Sequence, residues 1–125
     1  MRTMELGTPG ELRGRLNSLV LAGRKTATTG LLAEYVEETE GLEFVGERMA
    51  LLDDDGHAIA TIEITGVEQR SFSEVTWEHA AAEGEGDASL EEWRTGHRRF
   101  WRCEGAQVED DTPVVCLALR VVKTC

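Results

Sequence analysis

The sequence predicts a small α+β domain, either a mixed sheet flanked by helices or a small closed barrel with helices at its ends. Helical and strand patterns alternate irregularly along 125 residues, and the few strands all fit one sheet. A chain of this length buries roughly two thirds of the surface that its unfolded form exposes. We therefore expect a single domain over residues 1–125.

The first helix is predicted from about Pro9 to Ala22. Thr8 is its candidate N-cap, with Pro9 at the first helical position and Glu11 completing a capping box. Leucine and valine recur at helical spacing along this stretch, and Gly23 is a typical stop. The chain leaves the helix through the sequence LAGRKTATT.

A short strand or extended loop is predicted over Thr26–Thr29, and Gly30 ends it. The acidic stretch Leu31–Val45 suggests one helical turn followed by a surface loop. The segments VGERMALLD and HAIATIEITGVEQR then alternate apolar and polar residues around the turn DDDG. This pattern predicts a β-hairpin.

The second half of the chain predicts two helices and a final strand. Ser73 is the candidate cap of a helix that runs to about Glu83. Ser89 and Glu92 form a capping box for a second helix from Leu90 to about Cys103. The segment TPVVCLALRVVKT is apolar on both faces, which is typical of a central or barrel strand.

The charge of the chain is strongly negative but unevenly distributed. The net charge is −11, and residues 26–47 and 71–93 contain neither lysine nor arginine. Two basic islands interrupt this background, namely Arg24 with Lys25, and Arg94, Arg98, Arg99 and Arg102. A local anion site is therefore compatible with an acidic protein, although the overall charge opposes binding to nucleic acid.

No segment is apolar enough to span a bilayer, and the N-terminus lacks the apolar core of a secretory signal. We therefore expect a cytoplasmic protein with no membrane partner. The spacing of Cys103, Cys116 and Cys125 fits neither a zinc site nor a redox pair, so free thiols are expected, with Cys116 in the core. The sequence leaves the oligomeric state open.

The segment GRKTATT supports two interpretations. A cation beside a helix C-terminus is favourable in itself, so Arg24 and Lys25 fit a basic helix end followed by an edge strand. Alternatively, a turn brings Lys25 and Thr28 together, and the pair acts as a base or anion clamp beside a nucleophilic or positioning hydroxyl. A third group, most naturally a carboxylate, would orient them.

The sequence offers many carboxylates for that role, and Glu83 is one candidate. It lies where a helix is expected to end, a position that the helix dipole disfavours for an anion, so it needs a cation such as Lys25. His79 lies four residues earlier on the same face, and this spacing also suits a divalent metal, with Glu85 and Asp87 as further oxygen ligands. For Glu85 and Asp87 we favour a solvated acidic turn.

The segment LEEWRTGHRRFWR places Leu90, Trp93, His97 and Phe100 on one face at helical spacing, which predicts the buried stripe. His97 is more typical of a hydrogen-bonded core histidine than of a ligand. The neighbouring face carries Arg94, Arg98 and Trp101, a combination that binds phosphate and stacks on bases. The alternative interpretation of that face is a solvated basic surface.

The sequence contains no P-loop, dinucleotide-binding glycine motif, zinc-protease motif or nucleophile elbow. We predict neither a cofactor nor a bound metal. Any hydrolytic chemistry then falls on Lys25 and Thr28.

The chain resembles the ASCH domain family. The resemblance rests on GRKTAT after a short amphipathic helix, on VGERMALLDDDG leading into TIEIT, and on EHAAAEGEGDASLEEWRTGHRRFW. It extends from about Leu12 to Val122 and indicates the longer bacterial branch. The resemblance implies a small PUA-like β-barrel with helices packed over its mouth, and a cleft associated with RNA or nucleoside ligands.

Some members of the short branch remove acyl groups from N4-acylcytidine with a lysine, a threonine and a glutamate, which match Lys25, Thr28 and Glu83. Other members resemble ribonucleases or RNA-binding modules. Where the short branch has an apolar residue and an arginine after its second threonine, this chain has Thr29 and Gly30.

The resemblance therefore implies hydrolysis of a modified nucleoside at Lys25, Thr28 and Glu83. The alternatives are an RNA-binding module, a metal-dependent ribonuclease in the same cleft, and a nucleoside-binding protein without catalysis. The expected partner is a nucleoside or single-stranded RNA. The expected substrate contacts are Arg24, Thr26, Arg94, Arg98 and Trp101.

Overall fold

The computed structural model describes residues 1–36 and 40–125. Its described strands form one sheet in the order β1-β3-β4-β5-β2, which with the helices confirms the predicted α+β class. The strands are β1 (Arg2–Met4), β2 (Ala27–Leu31), β3 (Arg48–Leu52), β4 (Ala58–Ser71) and β5 (Pro113–Thr124). The helices are α1 (Glu11–Leu21), α2 (Leu32–Tyr35), α3 (Trp77–Ala82) and α4 (Leu90–Cys103).

The predicted hairpin is confirmed as β3 and β4, which pair antiparallel. Asp53 stabilises the turn because its carboxylate accepts the backbone N–H groups of Asp55 and His57. β4 continues into a long antiparallel ladder with β5, and β2 pairs with the other edge of β5. The parallel edge strand β1 was not predicted, because three residues are too short to show a period.

The sheet is strongly curled. Register shifts in β4 lie between Thr61 and Ile62 and between Ile64 and Gly66, and such irregularities increase strand twist. Residues of the two edge strands, β1 and β2, line one and the same cavity. The described strand pairs include no ladder between these edges, so the sheet curls around this cavity without closing into a complete barrel.

Two apolar clusters stabilise this arrangement. One packs Leu16 and Val20 of α1 against the sheet, including Leu51 and Ile62. The other packs α4 against the opposite face of β5, and its buried members include Phe72, Trp93, Trp101, Val114 and Cys116. The predicted core position of Cys116 is confirmed, and burial raises the pKa of its thiol to about 11.

The first predicted helix start was wrong. α1 begins at Glu11, after Gly10 as N-cap, and no side chain caps it. Thr8 contributes its backbone carbonyl, which accepts the Arg13 N–H at 3.2 Å, instead of its hydroxyl. The chain turns sharply at Gly10, where φ is +106°, so the regular helix cannot extend back to Pro9.

Ser73 also does not cap the helix predicted for it. Residues Phe72–Glu74 form a 3-10 turn, and α3 starts later, where Thr76 accepts the His79 N–H at 3.2 Å. The predicted cap of α4 is confirmed, because the Ser89 hydroxyl accepts the Glu92 N–H at 3.1 Å. The helical turn expected after Gly30 is α2, while residues 37–39 of the expected loop lie outside the described residues.

Candidate active site

Lys25 lies at the centre of the candidate site. Gly23, with φ +75°, ends the segment after α1 and turns the chain inward, as predicted. The Lys25 side chain is 1% exposed, and its Nζ donates to Glu83 Oε1 at 3.3 Å and to Glu85 Oε2 at 2.9 Å. The predicted contact with Glu83 is therefore present. Because a buried charge is stable only when it is paired, these carboxylates are what permit Lys25 to lie inside the protein.

A close backbone approach brings both carboxylates to Lys25. At Gly84, φ is +67°, and a Cβ atom there would lie 2.1 Å from the carbonyl oxygen of Arg24. Only glycine fits this position. The Thr26 N–H also donates to the Ala82 carbonyl at 2.8 Å, which ties the end of α3 to the start of β2.

Glu83 is surrounded by hydrogen-bond donors. Its Oε1 lies 3.3 Å from His97 Nε2 in addition to Lys25. Its Oε2 accepts the Thr29 hydroxyl at 2.7 Å and the Trp93 Nε1–H at 2.9 Å. With both oxygens occupied, Glu83 is a structural anchor with little capacity to accept a proton.

The titration behaviour of the two glutamates differs accordingly. Burial alone would raise the pKa of Glu83, but hydrogen bonds from His79 and His97 and the charge of Lys25 hold that pKa well below its ordinary value. Burial raises the pKa of Glu85, against the opposing charge of Lys25. For His97, burial opposes protonation, yet the hydrogen bond and charge of Glu83 prevail and raise its pKa.

These groups line a cavity of about 280 Å³, which we call the first chamber. Lys25, Thr28, Glu83 and Glu85 all reach it. Helices α1 and α4 cover it with Leu12, Arg15, Leu16, Gly96, His97, Phe100 and Trp101. A cation, two carboxylates and a threonine thus line one small cavity.

The two threonines of β2 play different structural parts. Both line the first chamber. The neighbouring Thr29 hydroxyl donates to Glu83 and lies 2.7 Å from His79 Nε2, so it belongs to the hydrogen-bond network around the carboxylate. Thr28 is therefore the hydroxyl available to a ligand, while Thr29 positions Glu83.

The family model for the ASCH domain matches residues 2–123. The chain belongs to the ASCH domain family. This family has a PUA-like fold and is associated with RNA binding. Among curated proteins, none matches this chain.

Solved structures agree with this assignment. A protein from Enterococcus faecalis V583 is 32% identical, with a TM-score of 0.88 over 99% of this chain and 77% of that chain. An ASCH domain from Lactobacillus crispatus JV V101 is 30% identical, with a TM-score of 0.84 over 98% of this chain and 79% of that chain. An ASCH protein from Zymomonas mobilis shares the fold alone. It is 13% identical, with a TM-score of 0.55 over 86% of this chain and 63% of that chain.

In this ASCH domain, Trp101 is the one predicted substrate contact that lines the first chamber. It shares the Phe72 ring with Arg98, in line with the face that the helical spacing predicted, but its own ring is buried and packs edge-on against His97 at 5.4 Å. Arg24 is exposed, and the Thr26 hydroxyl donates to the Ala82 carbonyl at 3.4 Å.

The predicted arginine contacts lie elsewhere. Arg94 donates to the Ser73 carbonyl at 2.9 Å, and Arg98 pairs with Asp110 and lies over the Phe72 ring at 4.8 Å. Neither lines the first chamber. The arginine that does is Arg15 of α1, which donates to the Glu85 carbonyl at 2.6 Å.

Sequence reasoning missed Glu85, His97 and Arg15 as members of the site. Glu85 looked like part of a solvated turn, and His97 looked like a core histidine. The only local signal was the sequence Glu83-Gly84-Glu85, in which the glycine permits two nearby carboxylates to turn toward one cation. Arg15 gave no signal, because its partner lies 70 residues away.

The ASCH domain also brings together a donor set that suits a divalent cation. Ligand atoms of Glu83, Glu85 and His97 lie within 4.8 Å of one another, and carboxylate with imidazole is a common metal environment. Lys25 already bonds to both carboxylates, so a metal would have to displace its ammonium group.

No helix among the described residues is long and apolar enough to cross a membrane.

Proposed function

We propose that this ASCH domain hydrolyses an amide bond of a modified nucleoside, with N4-acylcytidine as the first candidate substrate. The observation that carries the proposal is the buried Lys25 ammonium, held by Glu83 and Glu85 at the wall of a chamber that Thr28 also lines. The substrate class comes from the family resemblance, in which lysine, threonine and glutamate occupy the matching positions.

The ion pairs change the roles that the sequence suggested. Lys25 is expected to donate a hydrogen bond to the acyl oxygen and to stabilise the negative charge that develops there. It is then not free to take a proton from Thr28. Glu85 is the better proton acceptor, because its side chain is 20% exposed and its pKa is raised, whereas Glu83 is 2% exposed and saturated with donors.

The proposed reaction has two steps. The Thr28 hydroxyl oxygen attacks the acyl carbon, its proton passes to Glu85, and the carbon–nitrogen bond breaks as Glu85 returns that proton to the amino nitrogen. Water then attacks the threonine ester, giving the free carboxylic acid and regenerating Thr28. Glu83 positions Lys25 and does not exchange protons.

Hydrolysis of N4-acetylcytidine by the purified chain, followed by chromatography of released cytidine, tests the proposal. Thr28→Val should reduce the rate by at least about a hundredfold, the usual scale for loss of a nucleophile or its proton transfer. Thr61→Val is the matched control, because it makes the same change in β4, at a threonine that lines neither this chamber nor its neighbour. Full activity in Thr28→Val would exclude the acyl-enzyme route.

A second candidate function is a metal-dependent ribonuclease or RNA-binding module. It is favoured by the cluster of Glu83, Glu85 and His97 and by the RNA association of the family. Incubation with labelled single-stranded RNA in the presence of Mn²⁺ or Mg²⁺, and again with EDTA, separates the candidates. Cleavage that needs the metal, without amide hydrolysis, would favour the ribonuclease.

A further inference from the structure

A second chamber adjoins the first. Its volume is about 630 Å³, and it lies between the edge strands β1 and β2. Five residues line both chambers, namely Gly7, Thr28, Thr29, Phe100 and Trp101. A ligand whose reacting group reaches Thr28 can therefore extend into the second chamber.

The second chamber is acidic at its polar positions. It is lined by the carboxylates of Glu5, Glu34, Glu43 and Glu104, and none of its described lining residues is lysine, arginine or histidine. Apolar side chains complete its surface, among them Met4, Met49, Trp101 and Leu117. Phosphate in this space would face these four carboxylates, of which Glu5 pairs with Arg13 at 3.7 Å, and like charges in a partly desolvated site repel strongly.

Glu43 differs from the other three carboxylates because it is buried, with 9% of its surface exposed. The Tyr35 hydroxyl donates to its Oε1 at 2.8 Å and thereby fixes the side chain. A carboxylate offers about four lone-pair positions, so Glu43 retains acceptor capacity toward the chamber. Hydroxyl, amino and cationic groups can all satisfy such an acceptor, and on a nucleoside the groups of this kind are the ribose hydroxyls, which carboxylates bind in this way.

We propose that the second chamber binds the uncharged sugar of a nucleoside, with Glu43 accepting hydrogen bonds from its vicinal hydroxyl groups, and excludes a 5′-phosphate. The proposal rests on the proposed function for the nucleoside class. It adds that the substrate is a free nucleoside rather than a nucleotide or an RNA chain.

Calorimetric titration of the full chain with the product cytidine, with 2′,3′-dideoxycytidine and with cytidine 5′-monophosphate tests this. Cytidine should bind at least about tenfold more tightly than either analogue, the scale of a hydrogen bond to a charged acceptor or of a close like-charge contact. Equal or tighter binding of the monophosphate, or no binding of cytidine, would overturn the inference.

Glu43→Gln should lose the preference for cytidine over dideoxycytidine. The matched control is Glu104→Gln, an exposed carboxylate of the same chamber, which should keep that preference. If Glu43→Gln fails to fold, titration of the unmodified chain with 2′-deoxycytidine and with 3′-deoxycytidine serves as a second test, because each lacks one of the two hydroxyl groups and should bind more weakly than cytidine. An unchanged preference in folded Glu43→Gln, or equal binding of cytidine and both deoxy analogues, contradicts the assignment.

These measurements use a product and need no turnover, so the two proposals fail separately. Selective cytidine binding without hydrolysis of N4-acylcytidine would contradict the enzyme and leave the sugar site standing. Hydrolysis of N4-acylcytidine with equal affinity for cytidine and its monophosphate would contradict the sugar site and leave the enzyme standing.

Discussion

Helix α4 contributes one residue to each of two charged regions, His97 to one and Arg98 to the other, and these regions differ in burial. The inner cluster consists of Lys25, Glu83, Glu85 and His97. In it, the Lys25 side chain is 1% exposed and the Glu83 side chain is 2% exposed. The outer pair joins Arg98 to Asp110, whose side chains are 35% and 81% exposed. Both regions contain opposite charges in contact, yet water reaches only the outer pair freely.

This difference decides what each region contributes. An exposed ion pair contributes about 0–1 kcal/mol, because solvent and salt screen it and each charge remains hydrated when alone. A buried charge that loses its partner is left without water or counter-charge, which costs about 3–5 kcal/mol. The inner cluster therefore couples stability to chemistry, whereas the outer pair is a surface feature.

The largest effect is expected from Glu83→Gln. This change removes the anion that Lys25 and His97 share and leaves Lys25 with Glu85 alone at 2.9 Å, so the free energy of unfolding should fall by up to about 3–5 kcal/mol, the cost of a buried charge with no partner. Urea denaturation followed by circular dichroism measures it. Glu78→Gln, on the exposed surface of the same helix, is the control and should cost less than about 0.5 kcal/mol. A loss below about 1 kcal/mol in Glu83→Gln would mean that the inner cluster behaves like the outer pair.

Glu85→Gln should separate chemistry from stability within the inner cluster. Amide hydrolysis should fall by about a hundredfold or more, because the proton acceptor is removed. Burial raises the pKa of Glu85 above the ordinary 4.5. As the pH is lowered, kcat/KM of the unmodified chain should therefore start to fall while the pH is still above 4.5. This limb should be absent from the residual activity of Glu85→Gln.

Asp87→Asn is the matched control for Glu85→Gln, because Asp87 lines the same chamber. It should retain both activity and the acid limb. If Asp87→Asn instead abolished hydrolysis while Glu85→Gln did not, proton transfer would have to be reassigned to Asp87.

The pH dependence of stability offers a finer comparison. The raised pKa of His97 means that the folded state favours its protonated form. Its contribution is therefore fully present below the ordinary pKa of 6.5 and is lost as the pH rises through the folded-state pKa. Urea denaturation at a series of pH values should show this loss in the unmodified chain.

His97→Gln should remove that part of the pH dependence. His57→Gln, on the exposed hairpin turn, should leave it unchanged. A profile that is the same in His97→Gln and in the unmodified chain would show that other groups account for it.

The smallest effect is expected from Arg98→Ala in the outer pair. The free energy of unfolding should change by less than about 1 kcal/mol, and amide hydrolysis should be unaffected, because Arg98 lies outside the first chamber. Asp110→Asn removes the other member and should behave alike. Loss of hydrolysis in either variant would indicate that the outer pair contributes to the site after all.

The sequence alone determined the elements whose signals are local. The Ser89 cap and the repeated apolar spacing predicted α4, and the DDDG turn predicted the hairpin, because these features depend on neighbours within a few residues. The Lys25–Glu83 contact was also predictable, since an anion at a helix C-terminus needs a cation and Lys25 was the cation that the family resemblance matched to it. The functional roles of Lys25, Thr28 and Glu83 stay predictions.

Tertiary structure decided the rest. β1 forms only because a parallel neighbour pairs with it, and Glu85 joins the site only because Gly84 packs against the backbone of Arg24. The second chamber requires the two edges of a curled sheet to come together. Such features depend on contacts between residues far apart in the chain, and no periodicity or local hydrogen bond encodes them. Burial, which separates the inner cluster from the outer pair, arises at the same stage.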